Sequence, residues 1–213
     1  MKYARETISL SGQFSPSTVF LAEGKTEWLF IDKVLKASDA SMRDCVVFLL
    51  EGYTALENKI RLLLWEENSN NISSLGIMLD ANNVPDRRLR KAANALKRAG
   101  FPSDENELRD GGICADGARR TSVFLSPGQG RKGRIEDLII EEIRTTDLYD
   151  CVSGFKACVE GVRCQIDDKG VVQTYISARA GDLCGVGRAF QKGVLDINHD
   201  AYRTARNFVQ NLL

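Results

Sequence analysis

Histidine, proline and paired cysteines are scarce or missing in this sequence. A single histidine, His199, stands among 213 residues, which excludes a zinc site built from several histidines. We interpret it as a cap or packing residue. The six cysteines form no Cys-x-x-Cys pair, so we interpret them as reduced thiols that serve packing. Only 4 prolines occur and 43% of the residues are hydrophobic, which is typical of a globular domain.

Net charge and long apolar runs are also absent. The sequence has 29 basic and 29 acidic residues, which excludes a strongly basic nucleic-acid-binding coat. No run of 18 apolar residues occurs, so we expect no transmembrane helix. Residues 1–6 show no apolar stretch behind a basic head, so we expect no secretory signal and a cytoplasmic location. Any polyanion would need a local basic patch or a bound metal.

Apolar runs alternate with amphipathic segments along the first two thirds of the chain. The runs predict buried strands at 18–22, 45–50, 75–80 and 122–125. Helical spacing of apolar residues predicts helices from about Lys25 to Leu35 and over about 54–68, 85–99 and 135–145. Repeated strand–helix units favour a parallel sheet covered on both faces. We therefore predict an α/β fold with a mainly parallel central sheet of about four to five strands, flanked by helices.

The remaining segments complete the predicted organisation. We divide the chain into an irregular N-terminal segment, a core and a helical C-terminal extension packed on that core, at 1–17, 18–147 and 148–213. A short strand is expected near Ile113. Tyr53 and Trp65 stand at core spacing and are interpreted as core residues. The final helix carries an apolar stripe from Tyr202 to Leu212, which offers an interface for a homo-oligomer.

Carboxylates follow three of the predicted strands. Glu23 and Glu27 follow the first strand, Asp80 ends the third, and Glu136 and Asp137 follow the Gly-rich turn after the fourth. Ligands of parallel α/β sheets bind beyond the carboxyl ends of the strands, so we expect these side chains to share a pocket. Carboxylates repel one another unless a cation lies among them. Oxygen ligands without His or Cys favour Mg²⁺ or Mn²⁺.

Each of these groups also has a purely structural interpretation. Glu23 fits a solvated loop residue, and Glu27 fits a first-turn carboxylate favoured by the helix dipole. Residues 80–82, Asp-Ala-Asn, fit an Asx turn that caps the next helix. Residues 136–137 fit a charge pair at a helix N-terminus. The functional interpretation depends on all three groups following strands in order.

Basic residues flank the predicted acidic pocket. Lys25 begins the first helix, Arg87 and Arg88 lie in the helix after the third strand, and Arg131 and Lys132 lie in the loop before the last acidic pair. Cations beside an acidic pocket can hold a nucleic-acid backbone on either side of a cut. We predict these five residues as nucleic-acid or phosphate contacts, with solvated surface charge as the alternative.

The order of these motifs resembles the Toprim domain. An apolar strand precedes Glu-Gly-x-Thr-Glu at residues 23–27, and a later one leads to Asp-x-Asn at residues 80–82. Toprim domains occur in topoisomerases, bacterial primases, small ribonucleases and the nuclease half of overcoming-lysogenization-defect (OLD) proteins. Residues 133–138, Gly-Arg-Ile-Glu-Asp-Leu, resemble the Gly-x-Leu-Glu-Asp element of a stand-alone Toprim-like family of unknown function. The resemblance covers nearly the whole chain from Val19 and implies a Toprim-like fold.

The resemblance implies a phosphodiester-cleaving site that depends on Mg²⁺ or Mn²⁺. Glu23 corresponds to the Toprim glutamate, a general acid/base or metal ligand. Asp80 corresponds to the first aspartate of the Asp-x-Asp pair, a Mg²⁺ ligand. Glu27, Glu136 and Asp137 complete a second metal position, as in OLD-type nucleases, so two ions are implied. With these ions the site needs no histidine.

The chain departs from the Toprim pattern at Asn82. This residue stands where the family has the second aspartate, and its carbonyl oxygen still serves as a ligand but adds no negative charge. The departure implies weaker metal binding at that position.

Three hypotheses for function follow. The first is a metal-dependent nuclease acting on DNA or RNA, as a defence or toxin effector regulated by a partner ATPase. The second is a non-catalytic Toprim-like module that binds nucleic acid or a partner. The third is a phosphotransfer or nucleotide-hydrolysing enzyme that uses the same pocket. Fold alone does not choose among them.

Overall fold

The computed structural model describes residues 4–5, 16–38, 44–50, 52–65, 69–182 and 184–213. Within these ranges the chain forms six β-strands and eight α-helices. The strands are β1 (Ala4–Arg5), β2 (Thr18–Ala22), β3 (Cys45–Leu49), β4 (Ser74–Asp80), β5 (Ile113–Ala115) and β6 (Arg120–Ser126). The helices are α1 (Lys25–Ala37), α2 (Leu56–Trp65), α3 (Pro85–Arg98), α4 (Ile135–Ile143), α5 (Asp147–Gly161), α6 (Asp168–Ala180), α7 (Val186–Lys192) and α8 (Arg203–Gln210).

The strands form one sheet in the order β1-β3-β2-β4-β6-β5. All neighbouring strands run parallel except β5, which runs antiparallel to β6. The predicted α/β class with a mainly parallel sheet is confirmed. The sheet includes a two-residue strand, β1, within the N-terminal segment that we expected to be irregular. The last part of the second predicted helix, residues 66–68, lies outside the described residues.

Two apolar cores cover the two faces of the sheet. Strand side chains alternate between them, so Phe20 and Met78 face one core, whereas Leu21 and Ile77 face the other. Helices α1 and α4–α8 contribute to the first core, and α2 and α3 contribute to the second. Because strands buried on both faces need apolar residues throughout, their sequences read as continuous apolar runs.

The C-terminal helices belong to the first core. Phe208 of α8 packs edge-to-face on Phe20 with ring centroids 5.9 Å apart, and Tyr202 packs against Phe30 at 5.6 Å. The apolar stripe of the final helix is therefore buried inside the chain. Our prediction that this stripe offers an oligomer interface is wrong, because the sheet already covers it.

Two further predictions about buried side chains need correction. Cys45, Cys114 and Cys184 are buried, but three other cysteines on the surface of the C-terminal region are exposed: Cys151, Cys158 and Cys164. Trp65 is 72% exposed at the end of α2 and is not a core residue.

His199 caps the short turn before α8, where its Nδ1 accepts the N–H of Ala201 at 3.2 Å, as the cap interpretation predicted. Among the described helices, none combines the length and apolar character that crossing a membrane requires.

Candidate functional site

The topology places a crevice between the carboxyl ends of β2 and β4. From β2 the chain moves outward to β3, and from β4 it moves the other way to β6, so the direction of winding reverses between β2 and β4. Such reversal points are where parallel α/β sheets bind ligands. Glu23 follows β2 directly and Asp80 ends β4, so both predicted residues lie at this crevice.

The first turns of α1 and α4 bring two more carboxylates to the same edge. Glu27 in α1 is 4% exposed and Glu136 in α4 is 8% exposed. Gly24 permits the close approach at the start of α1, because a Cβ atom there would lie 2.8 Å from Glu27 Oε2. We call Glu27, Asp80 and Glu136 the carboxylate cluster.

The electrostatics of the carboxylate cluster show that its members interact. Burial is the largest of the causes that raise the pKa of Glu27 to about 8, and the negative charges of Asp80, Glu136 and Glu23 contribute to the same rise. Burial and the charge of Glu23 raise the pKa of Asp80 to about 6, against the opposing bond from the N–H of Ile135 to Asp80 Oδ1 at 3.2 Å. Glu27 therefore carries a proton at neutral pH in the metal-free protein.

Glu23 is held on the α3 side of the crevice by an arginine. Arg88 Nη1 donates to Glu23 Oε2 at 2.6 Å and to the carbonyl oxygen of Asp80 at 2.8 Å. The N–H of Asp80 donates to the same glutamate oxygen at 3.0 Å. The side chains of Arg88 and Glu23 are only 13% and 17% exposed. The ring of Tyr53 supports the arginine, with the guanidinium carbon 4.4 Å from the ring centroid.

Asn82 joins the end of β4 to the loop before α4. Its backbone forms a bridge with Gly133, through N···O distances of 2.7 and 2.9 Å, at a φ of 50°. Its Oδ1 accepts a hydrogen bond from Arg134 Nε at 3.1 Å. In this conformation the predicted metal ligand positions the loop that leads into α4 and Glu136.

Asp137 has a structural role at the start of α4. Its Oδ2 accepts the N–H of Arg134 at 2.7 Å and so provides a partner for a backbone donor at the N-terminus of the helix. For Asp137 the structural interpretation, a charge at a helix N-terminus, therefore holds. Glu136 differs, because it is buried beside Asp80 and Glu27. The two residues therefore differ in environment although they are adjacent in sequence.

The five predicted phosphate contacts lie in different environments. Lys25 and Arg87 are exposed near the crevice, at the starts of α1 and α3. Arg88 is turned inward to Glu23, and Arg131 pairs with Glu141. Lys132 lines an open cleft of about 390 Å³ next to the cluster.

This cleft connects the carboxylate cluster with the C-terminal helices. Its walls combine the α4 entrance, including Glu136 and Arg134, with the start of α6 at Asp168 and Lys169. Sequence reasoning placed no functional residue in α6. Its Asp-Asp-Lys run carries no motif, and only the packing of α6 against α4 brings it to the site.

The donor atoms of the cluster suit a divalent cation, although the side chains do not adopt a coordination geometry in this structure. All the donors are oxygens, and burial together with neighbouring negative charges raises the pKa values of Glu27 and Asp80. Within the described part of the chain, however, no three or more His, Cys, Asp or Glu side chains are disposed to hold a metal ion. Charges influence one another over longer distances than a metal–ligand bond spans. The carboxylates can therefore raise each other's pKa values without lying close enough to share a metal ion. A cation requires these carboxylates to move closer together.

Comparisons with known proteins give a family but not an activity. The chain belongs to the family described as protein of unknown function DUF3226, whose sequence profile matches residues 17–213. No curated protein matches the chain. Solved structures of the C-terminal region of the Xanthomonas campestris pv. campestris OLD protein are similar to it. One has 18% identity and a TM-score of 0.47 over 93% of this chain and 96% of that one. Another has 16% identity and a TM-score of 0.45 over 92% and 93%.

Proposed function

We propose that the protein is a metal-dependent nuclease that cleaves phosphodiester bonds of DNA or RNA. The observation that carries the proposal is that the buried Glu27 and Glu136 and the partly buried Asp80 lie at one sheet edge, beside the point where the winding of the chain reverses. Buried carboxylates with raised pKa values are typical of functional sites. The Toprim resemblance of the same residues supports the choice of phosphodiester chemistry.

The carboxylate cluster would hold Mg²⁺ or Mn²⁺, with Glu23 and Asn82 as further oxygen donors and two ions as the family-derived expectation. A bound divalent cation activates water and neutralises charge on the phosphate. Glu23 is the candidate general acid/base, and Arg88 holds its carboxylate in place. Lys25, Arg87 and Lys132 are exposed around the crevice and would contact the backbone of the substrate.

The test is cleavage of plasmid, single-stranded DNA, tRNA and bulk RNA in Mn²⁺, in Mg²⁺ and in EDTA. We expect the wild type to cleave at least one substrate only with a metal, and Glu23→Ala and Asp80→Ala to lower the rate at least about 100-fold. Asp32→Asn is the matched control, because Asp32 is a buried carboxylate of α1 that pairs with Lys36 further along the helix. Full cleavage by Asp80→Ala would refute the proposal.

A non-catalytic binding module is the second candidate. It is favoured by the Arg88–Glu23 ion pair, which already neutralises the predicted general acid/base, and by the absence of a ready-made metal site among the described residues. This candidate predicts nucleic-acid binding in EDTA that survives Asp80→Ala. It also predicts no cleavage by the wild type in any metal.

Regulation by a partner ATPase and a role in antiviral defence are extensions of the first proposal. They rest on the resemblance to OLD proteins alone. ATP-dependent stimulation of cleavage by a purified candidate partner ATPase would support them, and equal cleavage with and without that ATPase would count against them.

A further inference from the structure

A buried hydroxyl without a partner lies at the carboxyl edge of the sheet. Ser126 is the last residue of β6 and is 0% exposed. Its Oγ has no hydrogen-bond partner in the part of the chain that the structure describes. A buried hydroxyl in this state has lost its bonds to water without replacement. A ligand that binds to this oxygen would supply the missing interaction.

Ser126 is directly beside Asp80. The two residues are register partners in the parallel pairing of β4 with β6, so their side chains project from the same face of the sheet. That face is the one covered by α1 and α4, which carry Glu27 and Glu136 in their first turns. The unpartnered hydroxyl therefore faces the layer that contains the carboxylate cluster.

We infer that Ser126 Oγ is a neutral ligand for the divalent cation held by the carboxylate cluster. The inference rests on the proposed function and adds a residue that the sequence motifs do not indicate. Hard divalent cations accept neutral hydroxyl oxygens beside carboxylates, as the P-loop serine or threonine shows with Mg²⁺. A neutral ligand adds coordination without further repulsion among the acidic groups.

The same strand offers a matched control. Ser122 is also 0% exposed, its Oγ also lacks a partner among the described residues, and it faces the same side of the sheet four residues earlier. Its register partner is Gly76, so it lies inside the sheet, roughly 13 Å from the edge. Serine-to-alanine substitution removes the same hydroxyl group at either position, but only Ser126 lies beside the carboxylate cluster.

The experiment is titration calorimetry with MnCl₂ on the wild type, Ser126→Ala, Ser122→Ala and Asp80→Ala, each checked by thermal unfolding in EDTA. We expect Ser126→Ala to bind Mn²⁺ about 10-fold more weakly or worse, which is the scale of loss for a supporting group of a metal site. Ser122→Ala should bind Mn²⁺ like the wild type. Both alanine variants should remain folded, because neither hydroxyl bonds within the described protein.

Ser126→Cys provides a second readout that does not depend on loss alone. A thiolate prefers soft metals, so this variant should gain affinity for Cd²⁺ relative to Mn²⁺, whereas Ser122→Cys should not. Equal Mn²⁺ binding by Ser126→Ala and the wild type, with binding lost in Asp80→Ala, would overturn the inference and leave the proposed metal site intact. No Mn²⁺ binding by the wild type would overturn both.

Discussion

Burial controls the chemistry of individual residues at the candidate site. Glu27 is almost fully buried among other carboxylates, and its pKa of about 8 means that it is protonated at pH 7 without a cation. A metal ion binds the deprotonated form, so binding has to displace this proton. The affinity for Mn²⁺ should therefore rise between pH 6 and pH 8.

Glu27→Gln should change the pH dependence of stability in EDTA. A carboxyl whose pKa is higher in the folded protein than in the unfolded chain binds more protons when folded, so stability falls as pH rises between the two values. For Glu27 this window runs from 4.5 to about 8, and for Asp80 from 3.8 to about 6. We expect the free energy of unfolding of the wild type, measured with urea, to fall from pH 6 to pH 8.

In Glu27→Gln this fall between pH 6 and pH 8 should largely disappear, because glutamine does not titrate. Asp150→Asn, which changes an exposed carboxylate of α5, is the control and should follow the wild type. Parallel pH profiles for the wild type and Glu27→Gln would show that Glu27 is not the titrating group.

Arg88→Met tests whether the arginine positions Glu23. The substitution removes the hydrogen bond from Arg88 to the Glu23 carboxylate. The hydrogen bond from the N–H of Asp80 to Glu23 remains. We expect a loss of about 1–3 kcal/mol in the free energy of unfolding, since the pair is mostly buried. We also expect a fall in kcat of at least about 10-fold, with a shifted pH profile.

Arg87→Met is the neighbouring control, because Arg87 is exposed on the same turn of α3. It should leave stability nearly unchanged and weaken nucleic-acid binding mainly at low salt. Equal effects of the two substitutions would contradict the distinction between an inward and an outward arginine.

At the scale of elements, the strand–helix units could be predicted from the sequence, but the position of α7 could not. Continuous apolar runs and the proline that begins α3 gave the strand and helix order directly. In contrast, α7 packs on α1 through Gly187, and no local pattern indicates that approach. A Cβ atom at Gly187 would lie 1.8 Å from Leu29 Cδ1.

Gly187→Ala should therefore lower the free energy of unfolding by about 1–3 kcal/mol, because the added methyl group forces α7 away from α1. Gly154→Ala is the control, and we expect it to change the free energy of unfolding in the opposite direction. A Cβ atom at Gly154 meets nothing within 4 Å in the middle of α5, so alanine there should stabilise by up to about 1 kcal/mol. Urea unfolding of both variants gives the comparison, and an unchanged stability of Gly187→Ala would contradict the close packing.

The candidate site could also be predicted from the sequence only in part. Strand ends placed Glu23, Glu27, Asp80 and Glu136 at one edge, as expected from a parallel sheet. The inward turn of Arg88 was missed, because a sequence does not show which face of a helix meets a loop.

At the scale of the whole molecule, the C-terminal helices complete the core instead of forming a separate unit. Glu142 of α4 links the two parts, since its Oε2 accepts the hydroxyl of Tyr202 and its Oε1 accepts the N–H of Asp196, each at 2.6 Å. These contacts join residues 54 and 60 positions apart in the chain. Long-range bonds of this kind leave no periodic signal in the sequence.

Tyr202→Phe should lower the free energy of unfolding by about 1–3 kcal/mol, because it leaves an oxygen of Glu142 without its donor. Glu142→Gln should cost less, because its amide oxygen can still accept the N–H of Asp196 while its NH₂ group donates to the tyrosine hydroxyl, which can also accept. Thermal and urea unfolding of both variants test this order, and a Tyr202→Phe variant as stable as the wild type would contradict the linking role of Glu142.

The proposed phosphodiester site requires both a metal ion and the carboxylate of Asp80. Cleavage of the mixed DNA and RNA panel by the wild type and Asp80→Ala, with Mn²⁺ or with EDTA, tests both requirements together. We predict cleavage by the wild type in Mn²⁺ alone, and at least about 100-fold less by Asp80→Ala. Cleavage that persists in EDTA, or that Asp80→Ala retains in full, would contradict the proposed function.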